Sequence, residues 1–280
     1  MRCPRASWLL PALVAGLLTV APAWQRAPDE VDLALVLAVD VSTSMDPDEQ
    51  ALQRQGYVEA FRSGTVHQAI GSGMRGRIAV TYVEWAGAHP HVQNVVVPWT
   101  VLDSPADSLA FADRLARAPI RREAGTSISE AIDFSLALFS VAPFLPARRV
   151  IDISGDGSNN QGPLVTEARD RAVSRGVTIN GLPIMLHPTD WREDAMLDAY
   201  YRDCVIGGVN AFMVPVRDRR QFLTETRAKI VHEIADMSET AGLVRPAGSA
   251  SKTDCDTSES LWDDLAPSPH SHDSPVGHEL

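Results

Sequence analysis

The stretch VDLALVLAVDVSTS, residues 31–44, decides the fold. Its almost unbroken apolar run before Asp40 is typical of a strand that a parallel sheet buries on both faces. Oxygen-bearing side chains then follow at alternate positions: Asp40, Ser42 and Ser44. Side chains at alternate positions of an extended chain point the same way, so we expect these three to leave the strand end on one side. In open parallel sheets, ligands bind at this carboxyl end of the strands.

Outward from this strand, short β-branched runs alternate with longer amphipathic stretches. This pattern predicts an α/β fold with a Rossmann-like, doubly wound, mostly parallel central sheet, one antiparallel edge strand and helices on both faces. Further strands are predicted over residues 78–85, 92–99, 149–154, 177–184 and 211–214. Helices are predicted over residues 47–62, 105–117, 127–141, 163–175, 191–201 and 219–237. Asp46 is the expected N-cap of the first helix, with Pro47 at its first position.

Composition and charge exclude several classes of protein. The chain has 25 Lys and Arg against 36 Asp and Glu, a net charge of −11, and 45% hydrophobic residues, which is typical of a soluble globular protein. No cluster of basic residues is present, so we expect neither nucleic acid nor an anionic membrane surface as a partner. Gly71-x-Gly73-x-x-Gly76 has the letters of a dinucleotide-binding motif, but it lies after a helix and before a strand, which is the wrong order.

The N-terminus has the features of an export signal. Arg2 and Arg5 precede an apolar stretch, residues 8–20, that is too short to span a bilayer. Ala21-Pro22-Ala23 then provides the small residues that signal peptidase prefers. We therefore predict a signal peptide over residues 1–23, cleaved near Ala23. The mature protein is expected to be periplasmic or secreted, with no stable membrane span.

The remainder divides into a domain, residues 24–241, and a tail, residues 242–280. The tail is acidic and rich in Ser, Pro and His, with little to bury, which predicts disorder. Export would place Cys204 and Cys255 in an oxidising compartment, where they are able to pair. The sequence leaves that pairing open, because Cys255 lies in the predicted tail.

Together with the first motif, two distant segments resemble the von Willebrand factor A-type domain and its metal-ion-dependent adhesion site. Asp40-x-Ser42-x-Ser44 matches the family's Asp-x-Ser-x-Ser, Thr126 its distant threonine, and Asp156 its distant aspartate before glycine. The resemblance covers most of residues 32–237. More narrowly, the segment ISGDGSNN, residues 153–160, and the exported single-domain form resemble a bacterial family of unknown function, DUF1194.

The resemblance implies a function. Ser42, Ser44 and Thr126 would bind a divalent cation through their hydroxyls, and Asp40 and Asp156 directly or through water. Mg²⁺ is the expected ion, with Mn²⁺ or Ca²⁺ as alternatives. The leading hypothesis is a non-catalytic exported module that holds a protein partner through a Glu or Asp carboxylate on the metal. The alternatives are a scaffold with a stabilising or vestigial metal site and, less favoured, a metal-assisted hydrolase.

Asp152 does not fit the pattern of a buried strand. A charged side chain inside a sheet needs a partner. We expect backbone amides, or an arginine such as Arg148 or Arg149, to bond to it. Glu84, near the end of another strand, is the nominal alternative to Asp156 as a general base in the hydrolase hypothesis.

Overall fold

The computed structural model describes residues 29–89, 91–186, 191–235, 245–246 and 253–255. The predicted signal peptide, residues 1–23, lies outside the described residues, as does most of the predicted tail. Within the described part, seven strands form one sheet: β1 (Asp29–Asp40), β2 (Ile78–Trp85), β3 (Asn94–Leu102), β4 (Phe144–Gly155), β5 (Thr178–Pro183), β6 (Phe212–Met213) and β7 (Arg245–Pro246).

The sheet has the order β3-β2-β1-β4-β5-β6-β7, with β1 and β4 at its centre. Strands β2, β1, β4, β5 and β6 are parallel, whereas β3 runs antiparallel to β2 at one edge. This arrangement confirms the predicted fold class. The two-residue β7, within the predicted tail, adds a second antiparallel edge on β6.

Helices cover both faces of the sheet. They are α1 (Pro47–Arg62), α2 (Gly64–Gly71), α3 (Pro105–Arg117), α4 (Ile128–Ser140), α5 (Val165–Ser174), α6 (Trp191–Tyr200), a π-helical turn (Tyr201–Val205) and α7 (Phe222–Ala235). Helices α1, α2, α3 and α7 bury apolar side chains in one core, and α4, α5, α6 and the π-helical turn bury theirs in a second core on the opposite face. No helix of the described residues is long and apolar enough to cross a membrane.

Strand β1 separates the two cores, which explains its continuous apolar sequence. Leu35 and Leu37 pack into the first core, while Val36 and Ala38 pack into the second. Both faces of β1 are covered from Leu33 to Asp40, whereas Asp29 and Glu30 at its amino end are exposed.

The start of α1 follows from local sequence. The Glu49 backbone N–H donates to Asp46 Oδ1 at 2.8 Å, and the Asp46 N–H donates to Glu49 Oε2 at 3.2 Å, which together form a capping box with Pro47 at the first position. The helix ends at Arg62, and the hydroxyl of the next residue, Ser63, caps the start of α2. We did not predict α2.

The expectation for Asp152 is wrong. Its partner is Lys229 of α7, whose Nζ lies 2.6 Å from Asp152 Oδ1 and 2.6 Å from Glu233 Oε1. All three side chains are buried. Arg148 and Arg149 donate to backbone carbonyl groups. Lys229 and Glu233 are one turn apart on α7, but Asp152 belongs to β4, so no local pattern indicated the contact between Lys229 and Asp152.

Burial and charge act against each other in this cluster. Burial raises the pKa of Asp152 to about 6, although the Lys229 ammonium lowers it. Burial alone would lower the pKa of Lys229, but Asp152 and Glu233 raise it above its usual value. Asn180 Nδ2 donates to Glu233 Oε2 at 2.6 Å. The cluster therefore joins β4 and β5 to α7 by charged contacts in the interior.

Candidate metal centre

The carboxyl ends of β1 and β4 bring the two ends of the predicted site together. Ser42 Oγ and Ser44 Oγ lie 2.7 Å apart, and Ser44 Oγ donates to Asp156 Oδ1 at 2.7 Å. The Ser42 N–H donates to Asp40 Oδ1, also at 2.7 Å. Four of the five predicted ligands thus form one continuous hydrogen-bonded chain. Distant segments meet here because β1 and β4 are adjacent and parallel.

Asp40 is the buried end of this chain and has an unsatisfied oxygen. Its carboxylate is fully buried, and Oδ2 has no hydrogen-bond partner within the described structure. Burial raises the pKa of Asp40 well above its usual value, and the nearby Asp156 charge raises it further, against hydrogen bonds from Ser42. A cation beside Asp40 and Asp156 would offset both the burial and the repulsion.

Thr126, the fifth predicted ligand, lies beside the loop that contains Asp156. A Cβ on Gly157 would lie 3.9 Å from Thr126 Oγ1, so the two segments are neighbours. The Thr126 N–H donates to Asn160 Oδ1 at 2.9 Å, and its carbonyl accepts from the Asn160 N–H at 2.8 Å. This reciprocal pair fixes Thr126 against the loop. Its side chain is buried.

Helix α1 supports the site from the first core. Gln50 Nε2 donates to the Ser42 carbonyl at 3.1 Å, and Gln53 Nε2 donates to Ser154 Oγ at 3.0 Å. Both glutamines are buried. Together they hold the segments that follow β1 and end β4 at a fixed separation. We did not identify these residues from the sequence, and they share the buried side of α1 with Glu49 and Arg54 as well as with apolar residues.

The site opens outward on the side of Ser44. Ser44 is exposed and Asp156 is partly exposed, whereas Ser42, Asp40 and Thr126 are buried below them. On the rim, Arg122 Nη2 donates to the Thr43 carbonyl at 3.2 Å and to the Met45 carbonyl at 2.7 Å. An external ligand can therefore approach from the Ser44 side of the loop.

Glu84, the other acid considered for catalysis, is already paired. It is buried and forms an ion pair with Arg54 of α1. Burial raises the pKa of Glu84, while Arg54 lowers it. Arg54 in turn donates to the Leu115 carbonyl at 2.9 Å. This pair fastens α1 to β2.

The donor set fits a hard divalent cation. Two carboxylates and three hydroxyls gather at one edge of the sheet, and Mg²⁺, Mn²⁺ and Ca²⁺ prefer oxygen ligands. Among the described residues no group of three or more His, Cys, Asp or Glu side chains is positioned to hold a metal, so a site with thiolate or imidazole ligands does not compete within them. The unsatisfied Asp40 Oδ2 points to the same class of ion.

Comparison with known proteins supports the fold. A family model described as "Protein of unknown function (DUF1194)" matches residues 30–238. No curated protein matches the chain. Proximal thread matrix protein 1 from the mussel byssus is similar in structure, with a TM-score of 0.53 and 13% identity over 74% of this chain and 48% of that one. The same mussel protein has also been solved "with zinc occupied MIDAS motif", at a TM-score of 0.52.

A bacterial structure is similar to the same degree. The pilus adhesin SpaC from Lactobacillus rhamnosus GG, in its open conformation, has a TM-score of 0.54 and 11% identity over 73% of this chain and 30% of the adhesin. The chain thus spans about half the length of the mussel protein and less than a third of the adhesin. At these identities the likeness establishes the fold.

Proposed function

Since the chain belongs to the DUF1194 family of proteins of unknown function, its role has to be inferred from its site, and we propose that it is an exported module that holds a protein partner through a divalent cation. The cation would be bound by Asp40, Ser42, Ser44, Thr126 and Asp156. The observation behind this proposal is the buried Asp40, which has an oxygen without a partner and lies close to a second carboxylate.

The charge balance of the ligands explains why such a site would bind a partner. Two carboxylates offset the charge of a divalent ion, and the hydroxyls add none. Because the five side chains bring no more negative charge than the ion carries, an open coordination position can accept a further oxygen, and we propose a Glu or Asp of the partner as that ligand. Ser44 and Asp156, at the surface, are on the side that this carboxylate would approach. Mg²⁺ is the proposed physiological ion, with Mn²⁺ and Ca²⁺ as substitutes.

The neighbouring structures support this proposal by analogy. The mussel byssus protein has been solved with a zinc-occupied metal-ion-dependent adhesion site, and SpaC is a pilus adhesin. Here they favour a divalent ion and a binding role over other uses of the fold.

We propose further that the module is not an enzyme. Metal-assisted hydrolysis requires a general base near the metal. Asp156 accepts a hydrogen bond from Ser44, and Glu84 is buried against Arg54. Glu84 is therefore held by Arg54, and Asp156 is itself a proposed metal ligand. A Mg²⁺ ion bound by hydroxyls and carboxylates also activates its bound water less than a zinc ion bound by histidines does.

Mn²⁺ relaxation measurements test the proposal. Bound Mn²⁺ with an open coordination position relaxes water protons strongly, and a carboxylate ligand that displaces water lowers this effect. We expect a short peptide containing Glu to lower the relaxivity of the Mn²⁺-loaded protein, and the matched Gln peptide to leave it unchanged. The control protein is Ser42→Ala/Ser44→Ala, which should bind less Mn²⁺. An equal response to both peptides would contradict a carboxylate-completed site.

A further inference from the structure

We propose that a disulfide-anchored strap positions the metal loop. The strap comprises residues 200–205, which include the π-helical turn, and residues 253–255 of the predicted tail. The metal loop comprises residues 155–160. It begins at the last residue of β4, leads towards α5 and contains Asp156. This inference rests on the proposed function, because it names how the same site is held. A π-helical turn is uncommon and frequently lies at functional sites.

The first contact of the strap is made by Tyr201. Its ring is fully buried, and its hydroxyl donates to the Gly155 carbonyl at 3.4 Å. A Cβ on Gly155 would lie 3.1 Å from Tyr201 Oη and 2.8 Å from Asp40 Oδ2. The side chains of Tyr201 and Asp40 therefore both lie close against Gly155, the residue before Asp156. A side chain at this position would force Asp40 Oδ2 to move and would crowd Tyr201 Oη, so glycine fits best.

The second contact lies on the other side of Asp156. The Asn159 N–H donates to Tyr200 Oη at 3.2 Å. Asn159 Oδ1 accepts from the N–H and from the hydroxyl of Ser129, each at 3.1 Å. Two consecutive tyrosines thus hold the metal loop at Gly155 and at Asn159.

The opposite end of the strap is anchored covalently. Cys204, in the π-helical turn, forms a disulfide with Cys255. Thr253 donates from its N–H and its hydroxyl to Asp203 Oδ2, at 3.3 Å and 2.6 Å. Arg169 of α5 donates to the Asp203 and Cys204 carbonyls at 2.9 Å and 3.0 Å. The anchor holds the backbone of the π-helical turn from two directions, and with it the two tyrosines.

The strap would strengthen metal binding by ordering the metal loop before the metal binds. A metal that binds a loose loop must also pay for ordering it, which weakens the observed affinity, whereas a loop that is already held loses less freedom. The intact disulfide therefore favours metal binding without contacting the metal.

Three variants test this proposal. Tyr201→Phe and Tyr200→Phe each remove one hydroxyl, and Cys204→Ser/Cys255→Ser removes the anchor. Tyr82→Phe is the matched control, because Tyr82 is equally buried but lies on β2 in the first core. The first readout is amide hydrogen exchange in metal-free protein. We expect exchange at Asn159 to be at least about fivefold faster in Tyr200→Phe and in the cysteine variant, as for the loss of one hydrogen bond, and unchanged in Tyr82→Phe.

The second readout is the dissociation constant for Mn²⁺. We expect it to rise about three- to tenfold in the three strap variants and to stay constant in Tyr82→Phe. Unchanged exchange in every strap variant would overturn the proposal, as would faster exchange with unchanged Mn²⁺ affinity. If the wild-type protein bound no Mn²⁺, the proposed function would fall, while exchange in metal-free protein would still decide whether the strap holds the loop. The tyrosine variants keep the test decisive if the cysteine variant does not fold.

Discussion

Replacement of Lys229 with methionine should destabilise the protein strongly, because it leaves two buried carboxylates without their cation. Lys229 Nζ contacts Asp152 and Glu233 at 2.6 Å each, and all three side chains are at most 1% exposed. Even beside Lys229, burial raises the pKa of Asp152 to about 6. Removal of one member of a buried ion pair costs about 3–5 kcal/mol, and we expect Lys229→Met to fall in this range at pH 7.5.

The loss of stability in Lys229→Met should depend on pH in a defined direction. Without the Lys229 ammonium, which lowers it, the pKa of Asp152 in the folded protein should rise further above its value in the unfolded chain. Groups of this kind favour folding below their unfolded pKa, near 4, and this contribution is lost as pH rises through the folded pKa. The loss of stability in Lys229→Met should therefore be smaller at pH 5 than at pH 7.5.

Urea denaturation at both pH values measures the effect. The control is Arg171→Met, which removes a partly exposed cation from its pair with Asp133 and should cost less than about 1 kcal/mol. Adding Asp152→Asn and Glu233→Gln to Lys229→Met should restore part of the stability, since no buried charge then remains unpaired. A loss below about 1 kcal/mol in Lys229→Met, or one that does not depend on pH, would refute the reasoning.

Three further predictions concern α1 and the metal centre. Asp46→Ala removes the cap of α1 and should lower the free energy of unfolding by about 1 kcal/mol, measured by urea denaturation. The control is Asp48→Ala, which changes an aspartate of the first turn that is not the N-cap. Gly155→Ala should weaken Mn²⁺ binding measured by calorimetry at least tenfold, because its Cβ would lie 2.8 Å from Asp40 Oδ2; unchanged binding would contradict the geometry. Mg²⁺ should raise the melting temperature more at pH 8 than at pH 5, because burial and Asp156 raise the pKa of Asp40 and protons compete with the metal at low pH; an equal rise at both would count against Asp40 as a ligand.

The sequence was informative where local rules decide the structure. The bounds of α1 and α3 match the predicted ranges, since each helix begins with a capping residue followed by proline. The alternation of strands and helices was enough to predict the sheet. Strand β4 begins at Phe144, earlier than predicted, because its first part pairs with the start of β1 at the edge of the core, where the apolar pattern is weak.

Long-range pairing was beyond local rules. Lys229 and Asp152 meet only because α7 packs on the sheet, and nothing near either residue indicates the other. The same holds for Gln53, which bonds to Ser154 of β4, and for Tyr200 and Tyr201, which bond to the metal loop from a distant part of the chain. The five proposed ligands were accessible from the sequence because a family pattern supplied what spacing alone does not.

Calorimetric titration of Mg²⁺ and Mn²⁺ into chelator-treated protein tests the central claim most directly. The account predicts saturable binding of one ion per chain and a loss of at least tenfold in affinity, about 1.4 kcal/mol, in Ser42→Ala/Ser44→Ala. Ser72→Ala, at the end of α2 and remote from the metal loop in sequence, is the matched control and should bind as the wild type does. The absence of binding at millimolar metal, or equal binding by the double variant, would contradict a metal centre built from Asp40, Ser42, Ser44, Thr126 and Asp156.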